Sequence, residues 1–247
     1  MTITLIVNVI VKMGLFKKNY RKSGIFQGFT EWHCHILPGV DDGVETMEES
    51  LQILSCYEEL GVQQVWFTPH IMEDVPNTPS KLRQRFEQLC QSYQGPIALH
   101  LAAENMVDNL FLERLAANDL LPLGNKGDHL LVETSYFNPP YRFRDILEDI
   151  KSRGYTPVLA HPERYMYMDD AYYQDLKKRG ILFQLNLMSM LGYYGEPVRK
   201  KAQSLLSAGL YNLTGTDIHS YDTLQDALSD KSLTSKQVAA ISQIRWV

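Results

Sequence analysis

Five of the seven histidines stand at or just past the ends of apolar, strand-like runs, beside Pro, Gly or Asp. His33 and His35 lie two apart in Thr30-Glu-Trp-His-Cys-His. An extended chain repeats every two residues, so both imidazoles point the same way and can grip one ion. Asp217 and His219 repeat that spacing in Gly215-Thr-Asp-Ile-His. His70 closes Phe67-Thr-Pro-His, Glu104 follows the apolar run 97–103, and His161 opens His-Pro-Glu-Arg. Asp42 sits in Val40-Asp-Asp-Gly. These are five imidazoles and three carboxylates, a set poorly tolerated in a partly buried space without a cation. Mixed N and O donors suit manganese, iron or zinc, and eight ligands exceed the needs of one ion, so two or three divalent ions are implied. One strand-end histidine is ordinarily a hydrogen-bonded structural residue; the joint placement at five strand ends carries the metal reading. His100 and His129 fall within strands and stay outside the set.

Such a set needs a scaffold that brings strand ends together. Strand-like apolar runs occupy 62–68, 97–103, 129–134, 156–160, 181–187 and 210–215. Amphipathic runs separate them. A capping box, Thr46 with Glu49, opens a helix that Gly61 closes. Thr78-Pro79 opens another that runs to about Gln94, and others span 142–153, 197–208 and, with a weaker pattern, 169–180. Strand–helix alternation predicts an α/β fold with a parallel sheet, either a (β/α) barrel or a doubly wound sheet. In a barrel, the C-terminal strand ends converge on one mouth. There is no G-x-G-x-x-G and no P-loop, so dinucleotide and nucleotide-triphosphate readings lose their support.

The balance of 24 basic against 29 acidic residues, net charge −5 in 247 residues, speaks against a general nucleic-acid binder. Three scattered cysteines make no disulfide framework and point to a reducing, cytoplasmic setting. They also exclude cysteine-phosphatase chemistry, which needs an arginine six positions past the thiolate. Val40, Val62 and Pro96 stand there after Cys34, Cys56 and Cys90. The apolar stretch 2–11 is too short to span a bilayer, and its lysines follow it rather than precede it, unlike a secretory signal. Met13, opening the basic leader MGLFKKNYRKSG, is an alternative start.

The phrases HCHILPGVDDG from His33, TPH from Thr68, AEN from Ala103, LAHPERY from Leu159, FQLNLMSMLGYYG from Phe183 and GTDIHS from Gly215 resemble the bacterial PHP-type protein tyrosine phosphatases. These are the capsule and exopolysaccharide regulators of the CpsB/YwqE kind. The resemblance spans roughly Thr30 to Asp222 with the motifs in order. It implies a distorted (β/α)7 TIM-like barrel over 29–247 behind an N-terminal extension, 1–28. It also implies a trinuclear centre, commonly of manganese or iron, and hydrolysis of phosphotyrosine on a tyrosine autokinase that drives polysaccharide export. Carried over, His33 and His35 hold the first ion with Asp217. Glu104 bridges two ions, joined by His70 and His161, while Asp42 and His219 complete the third. Asp42 is preferred to Asp41 because such proteins place Asp before Gly. Glu31 departs from the pattern, standing where the family usually has Asp, away from the ions themselves.

The expected reaction is attack of a metal-bound hydroxide on phosphorus, without a covalent intermediate. Arg164 is the candidate fork for two phosphate oxygens and Arg142 a candidate helper. Asp217 or His219 is the candidate acid for the leaving group. Tyr136, Phe137 and Tyr141 are candidates to line a slot for the substrate ring. Competing readings are a PHP-type histidinol-phosphate or other small-molecule phosphatase, an amidohydrolase, and a non-catalytic metal-bearing module that holds phosphotyrosine.

Overall fold

In the computed structural model, residues 17–244 and Trp246 are described. The stretch 2–11 and Met13 lie outside the described residues. The strands are β1 (Thr30–Cys34), β2 (Gln64–Phe67), β3 (His70–Ile71), β4 (Ala98–Leu101), β5 (Glu104–Met106), β6 (His129–Glu133), β7 (Thr156–Ala160), β8 (Leu182–Asn186) and β9 (Leu213–Gly215). The helices are α1 (Tyr20–Ser23), α2 (Met47–Leu60), α3 (Pro79–Ser92), α4 (Asn109–Ala117), α5 (Phe143–Ser152), α6 (Asp170–Lys178), α7 (Leu187–Leu191), α8 (Glu196–Ser207), α9 (Tyr221–Ser229) and α10 (Ser235–Ser242).

The ladders are parallel and run β1-β2-β4 and β3-β5-β6-β7-β8-β9. The chain passes from β2 into β3 across Thr68-Pro69 and from β4 into β5 across Ala102-Ala103. Both breaks lie at one level, with Phe67 opposite Leu101 and His70 opposite Glu104. The two sheets are therefore parts of one barrel with seven staves, two of them broken. The seam closes where the His35 amide donates to the Ile218 carbonyl (2.9 Å) and the Asp217 amide to the His33 carbonyl (2.7 Å). This is the distorted (β/α)7 barrel expected from the sequence.

Local chemistry explains the elements. The Thr46 hydroxyl accepts from the Glu49 amide at the start of α2, and Gly61 ends it at φ 87°, a left-handed backbone that costs glycine least. Ser50, Ile53, Leu54, Tyr57 and Leu60 are its buried stripe. Thr78 and Pro79 open α3 in the same way. The strands read as unbroken apolar runs because both faces are covered: Leu131, Val158, Ala160 and Leu213 pack with Trp66, while Val132, Leu159 and Phe183 join the larger core with the helices. Residues before 29 take part as well. Tyr20, Ile25 and Phe26 are buried in that larger core, and the Tyr20 hydroxyl donates to the Leu187 carbonyl. The packed unit thus begins ahead of residue 29.

Candidate metal centre

The strand ends deliver their donors to one place. Glu104, first residue of β5, holds Oε2 at 3.2 Å from His33 Nε2, His35 Nε2 and His70 Nδ1. Its Oε1 is 2.9 Å from His161 Nε2. Asp217 Oδ1 lies 3.4 Å from His33 Nε2 and 3.3 Å from His35 Nε2. Asp42 Oδ1 stands 3.6 Å from both His70 Nε2 and His219 Nε2. All eight residues singled out as metal ligands converge. A ninth donor joins them: Glu133 Oε1 is 3.2 Å from His70 Nδ1, and its Oε2 is 3.8 Å from His161 Nε2. Glu133 is the last residue of β6, and a carboxylate at a strand end was the signal that could have found it.

Three overlapping groups have ligand atoms mutually within 4.8 Å: His33, His35, Glu104 and Asp217; His35, Asp42, His70 and His219; and His70, Glu104 and Glu133. Within them, His70 Nδ1, Glu104 Oε2 and Glu133 Oε1 are buried without a hydrogen-bond partner. His33 Nε2 and His35 Nε2 face each other at 3.1 Å. Orphaned buried atoms are rare, and here they share one focus, which is what a cation satisfies. The donor set fits divalent ions. Proton energetics agree. Burial opposes a charge on His33, yet Glu104 and Asp217 outweigh it and raise its pKa to about 9. His35 is also raised, against burial, by Asp217 and Asp41. Burial would lift Glu104 too, but His33, His161 and His35 hold it well below the usual carboxylate range. Without a cation, the acids draw protons onto the imidazoles.

Outer partners aim the rings. His35 Nδ1 is 2.8 Å from Asp41 Oδ2, and Asp41 also accepts from the His70 and Gly43 amides. Asp41 therefore backs His35, while Asp42 faces His70 and His219. His33 Nδ1 is 3.0 Å from Gln184 Oε1. Both contacts leave Nε2 free for a ligand bond. Asp217 divides its oxygens: Oδ2 accepts from Asn186 (2.7 Å), Tyr194 (3.2 Å) and Arg164 (3.3 Å), leaving Oδ1 to the histidines. Asp217 and His161 carry left-handed backbones at φ 54° and 33°, uncommon outside glycine and characteristic of functional sites. Glu31, fully buried, accepts from the His33 and Thr216 amides through Oε1 and from the Tyr57 hydroxyl through Oε2, tying β1 to the loop after β9. Burial raises its pKa to about 7.

Above the donors opens a cavity of about 290 Å³ lined by Arg164, Tyr136, Tyr193, Tyr194 and Met188 as well as six of the donors, Asp42, His70, Glu104, His161, Asp217 and His219. Arg164 is thereby placed over the metal groups. Arg142 is not: it pairs with Asp145 at 2.5 Å on the surface and lines a separate slot with Pro139 and Pro140. Tyr136 lines the cavity, whereas Phe137 and Tyr141 are 83% and 88% exposed and form no part of its lining.

Residues 29–237 match the sequence pattern of the capsular polysaccharide synthesis family CpsB/CapC. The chain is 28% identical over 197 residues, 77% of each protein, to the tyrosine-protein phosphatase YwqE of Bacillus subtilis (strain 168). It is 27% identical over 202 residues, 77% of this chain and 83% of the relative, to the tyrosine-protein phosphatase CpsB of Streptococcus pneumoniae. A crystal structure from work on those two proteins, described as unique metal-dependent tyrosine phosphatases, superposes with a TM-score of 0.73 at 23% identity, covering 86% of this chain and 85% of the other.

Proposed function

The chain belongs to the CpsB/CapC family of capsular polysaccharide synthesis, and from that premise we propose that it is a metal-dependent protein tyrosine phosphatase acting on a tyrosine autokinase that controls capsule or exopolysaccharide export. The observation that carries the reading is the convergence of nine donors with orphaned atoms at one focus, beneath a cavity that holds an arginine and aromatic side chains.

His33, His35, Glu104 and Asp217 would hold one ion, and Asp42, His70 and His219 a second. Glu133 with His161, Glu104 and His70 would hold a third. Manganese is the first choice, with iron or zinc compatible. When bound, such ions supply positive charge for phosphate oxygens and a water that ionises near neutral pH. Arg164 offers its fork to two phosphate oxygens. Met188 and Tyr193 give the cavity an apolar flank for a phenyl ring. Neither Asp217 nor His219 is free to supply the proton for the departing phenolate. Asp217 has both oxygens engaged and is held ionised by His33, His35 and His219 against the burial that opposes it, and His219, holding an ion through Nε2, has its Nδ1 2.8 Å from the Asp217 carbonyl. No described helix is long and apolar enough to cross a membrane, and a cytoplasmic enzyme meeting the kinase at its phosphorylated segment fits the family role.

Elemental analysis of the purified protein, alongside phosphate release from a phosphotyrosine peptide and from histidinol phosphate, tests this. The expected result is two or three divalent ions per chain and turnover of the peptide that a chelator abolishes. Faster turnover of histidinol phosphate would move the substrate to the small-molecule class, and full activity without metal would refute the mechanism.

A further inference from the structure

Arg164 comes from a turn of three residues, Pro162–Arg164, that follows the left-handed His161. Such a turn gives a long side chain little support, and a flexible arginine loses much of its binding advantage to ordering. Two rings supply the support. The Arg164 guanidinium carbon lies 4.1 Å from the centroid of Tyr136 and 4.2 Å from that of Tyr194. These residues come from three separate stretches, after β6, after β7 and after α7. Each ring is itself tied down. Tyr136 stacks with Tyr165 (centroids 6.2 Å apart, 19° between planes) and its hydroxyl donates to Glu133 Oε2. The Tyr194 hydroxyl donates to Asp217 Oδ2 and accepts from the Asn186 amide.

We propose that Tyr136 and Tyr194 are positioning residues that clamp the Arg164 guanidinium and so fix its N–H groups toward the phosphate seat. Ring contacts use the faces of a guanidinium, whereas its hydrogen bonds run in its plane. One in-plane N–H goes to Asp217 Oδ2 at 3.3 Å, and the remaining donors are left for a substrate oxygen pair. The inference rests on the phosphomonoester reading above.

The test measures binding of inorganic phosphate to the manganese-loaded full chain by calorimetry, which needs no turnover. Tyr136→Leu and Tyr194→Leu should each weaken phosphate between about 3-fold and about 30-fold, the range for a cation over one ring. Tyr136→Phe and Tyr194→Phe keep the ring and should stay within about 3-fold of wild type, on the same basis. In an Arg164→Ala background the leucine substitutions should cost nothing further, because the group they hold is gone. Unchanged phosphate affinity in the leucine variants overturns the proposal. So do equal losses with and without Arg164, or loss of manganese from the leucine variants. Weaker phenyl phosphate binding at unchanged phosphate affinity overturns it as well, assigning the rings to the substrate. If wild type binds phosphate with this pattern but releases none from phosphotyrosine peptide, the function reading fails and the clamp stands.

Discussion

Ion binding should release protons, and the amount follows from the site. In the ion-free protein Glu104 and Asp217 hold His33 at a pKa of about 9, overcoming the burial that opposes its charge. A coordinating imidazole must give up that proton. The sign is fixed: lowering pH below about 9 leaves His33 protonated and weakens ion binding, and raising pH toward 9 strengthens it. At pH 7, two units below, the apparent affinity for manganese falls roughly 100-fold, or about 2.7 kcal/mol at 1.36 kcal/mol per unit. His35, raised as well, steepens the dependence if it too is displaced. Calorimetry with manganese at pH 7 in two buffers of different ionisation enthalpy reads the release directly, with at least one proton per chain expected. No net release together with flat affinity between pH 7 and 9 would refute the reasoning, because the ions would then not be displacing protons from these imidazoles.

Other perturbations follow from the same geometry. Glu104→Gln removes the charge shared by four imidazoles; ion affinity should fall by at least the roughly 10- to 100-fold typical of losing an outer partner, and phosphate release with it, read by elemental analysis and a peptide assay. Gly215→Ala places a Cβ 2.5 Å from His33 Cβ and 2.7 Å from its amide nitrogen. Backbone must shift, so stability should drop by about 1–3 kcal/mol in thermal unfolding, and ion affinity should drop with it. Arg142→Ala should leave peptide turnover within about twofold, as exposed ion pairs contribute about 1 kcal/mol at most, whereas Arg164→Ala should raise KM. Thiol alkylation reaches the exposed Cys90 ahead of the buried Cys34 and Cys56 and should leave phosphate release intact; its abolition there would restore thiol chemistry.

The convergence of these candidate donors was legible because its signals are local. Apolar runs mark strands, the period of two sets the direction of His33 and His35, and the strand ends name the place. Glu133 escaped because a glutamate closing an apolar run reads equally well as a solvated strand end, and only register, Met106 opposite Glu133, turns it toward His70. Helix α4 was missed although Asp108 caps it, since the stretch Asn109–Ala117 follows the chemistry of Glu104 with no glycine or proline to announce its start. Gln184, Asn186 and Tyr194 act across the barrel on His33 and Asp217, at separations no spacing rule reaches. Arg142 follows a strand end just as Arg164 follows His161, yet the backbone at φ 56° starts α5 there and leaves its side chain to Asp145.

The breaks in the barrel belong to the chemistry. A regular parallel strand alternates its side chains inward and outward, which would limit how many donors one stave can aim at the mouth. The ladder of β2 and β4 stops at Phe67 and Leu101, and a new one begins with His70 opposite Glu104. Pro69, which has no amide to give, sits in the gap, and its carbonyl accepts the Glu104 amide. The restart sets His70 and Glu104 side by side, both buried, at the level where His33 and His35 arrive from β1. Restoring continuous pairing through 67–71 would carry these two donors away from the focus, so the irregularity of these two staves and the convergence of the ligands are one property of the chain.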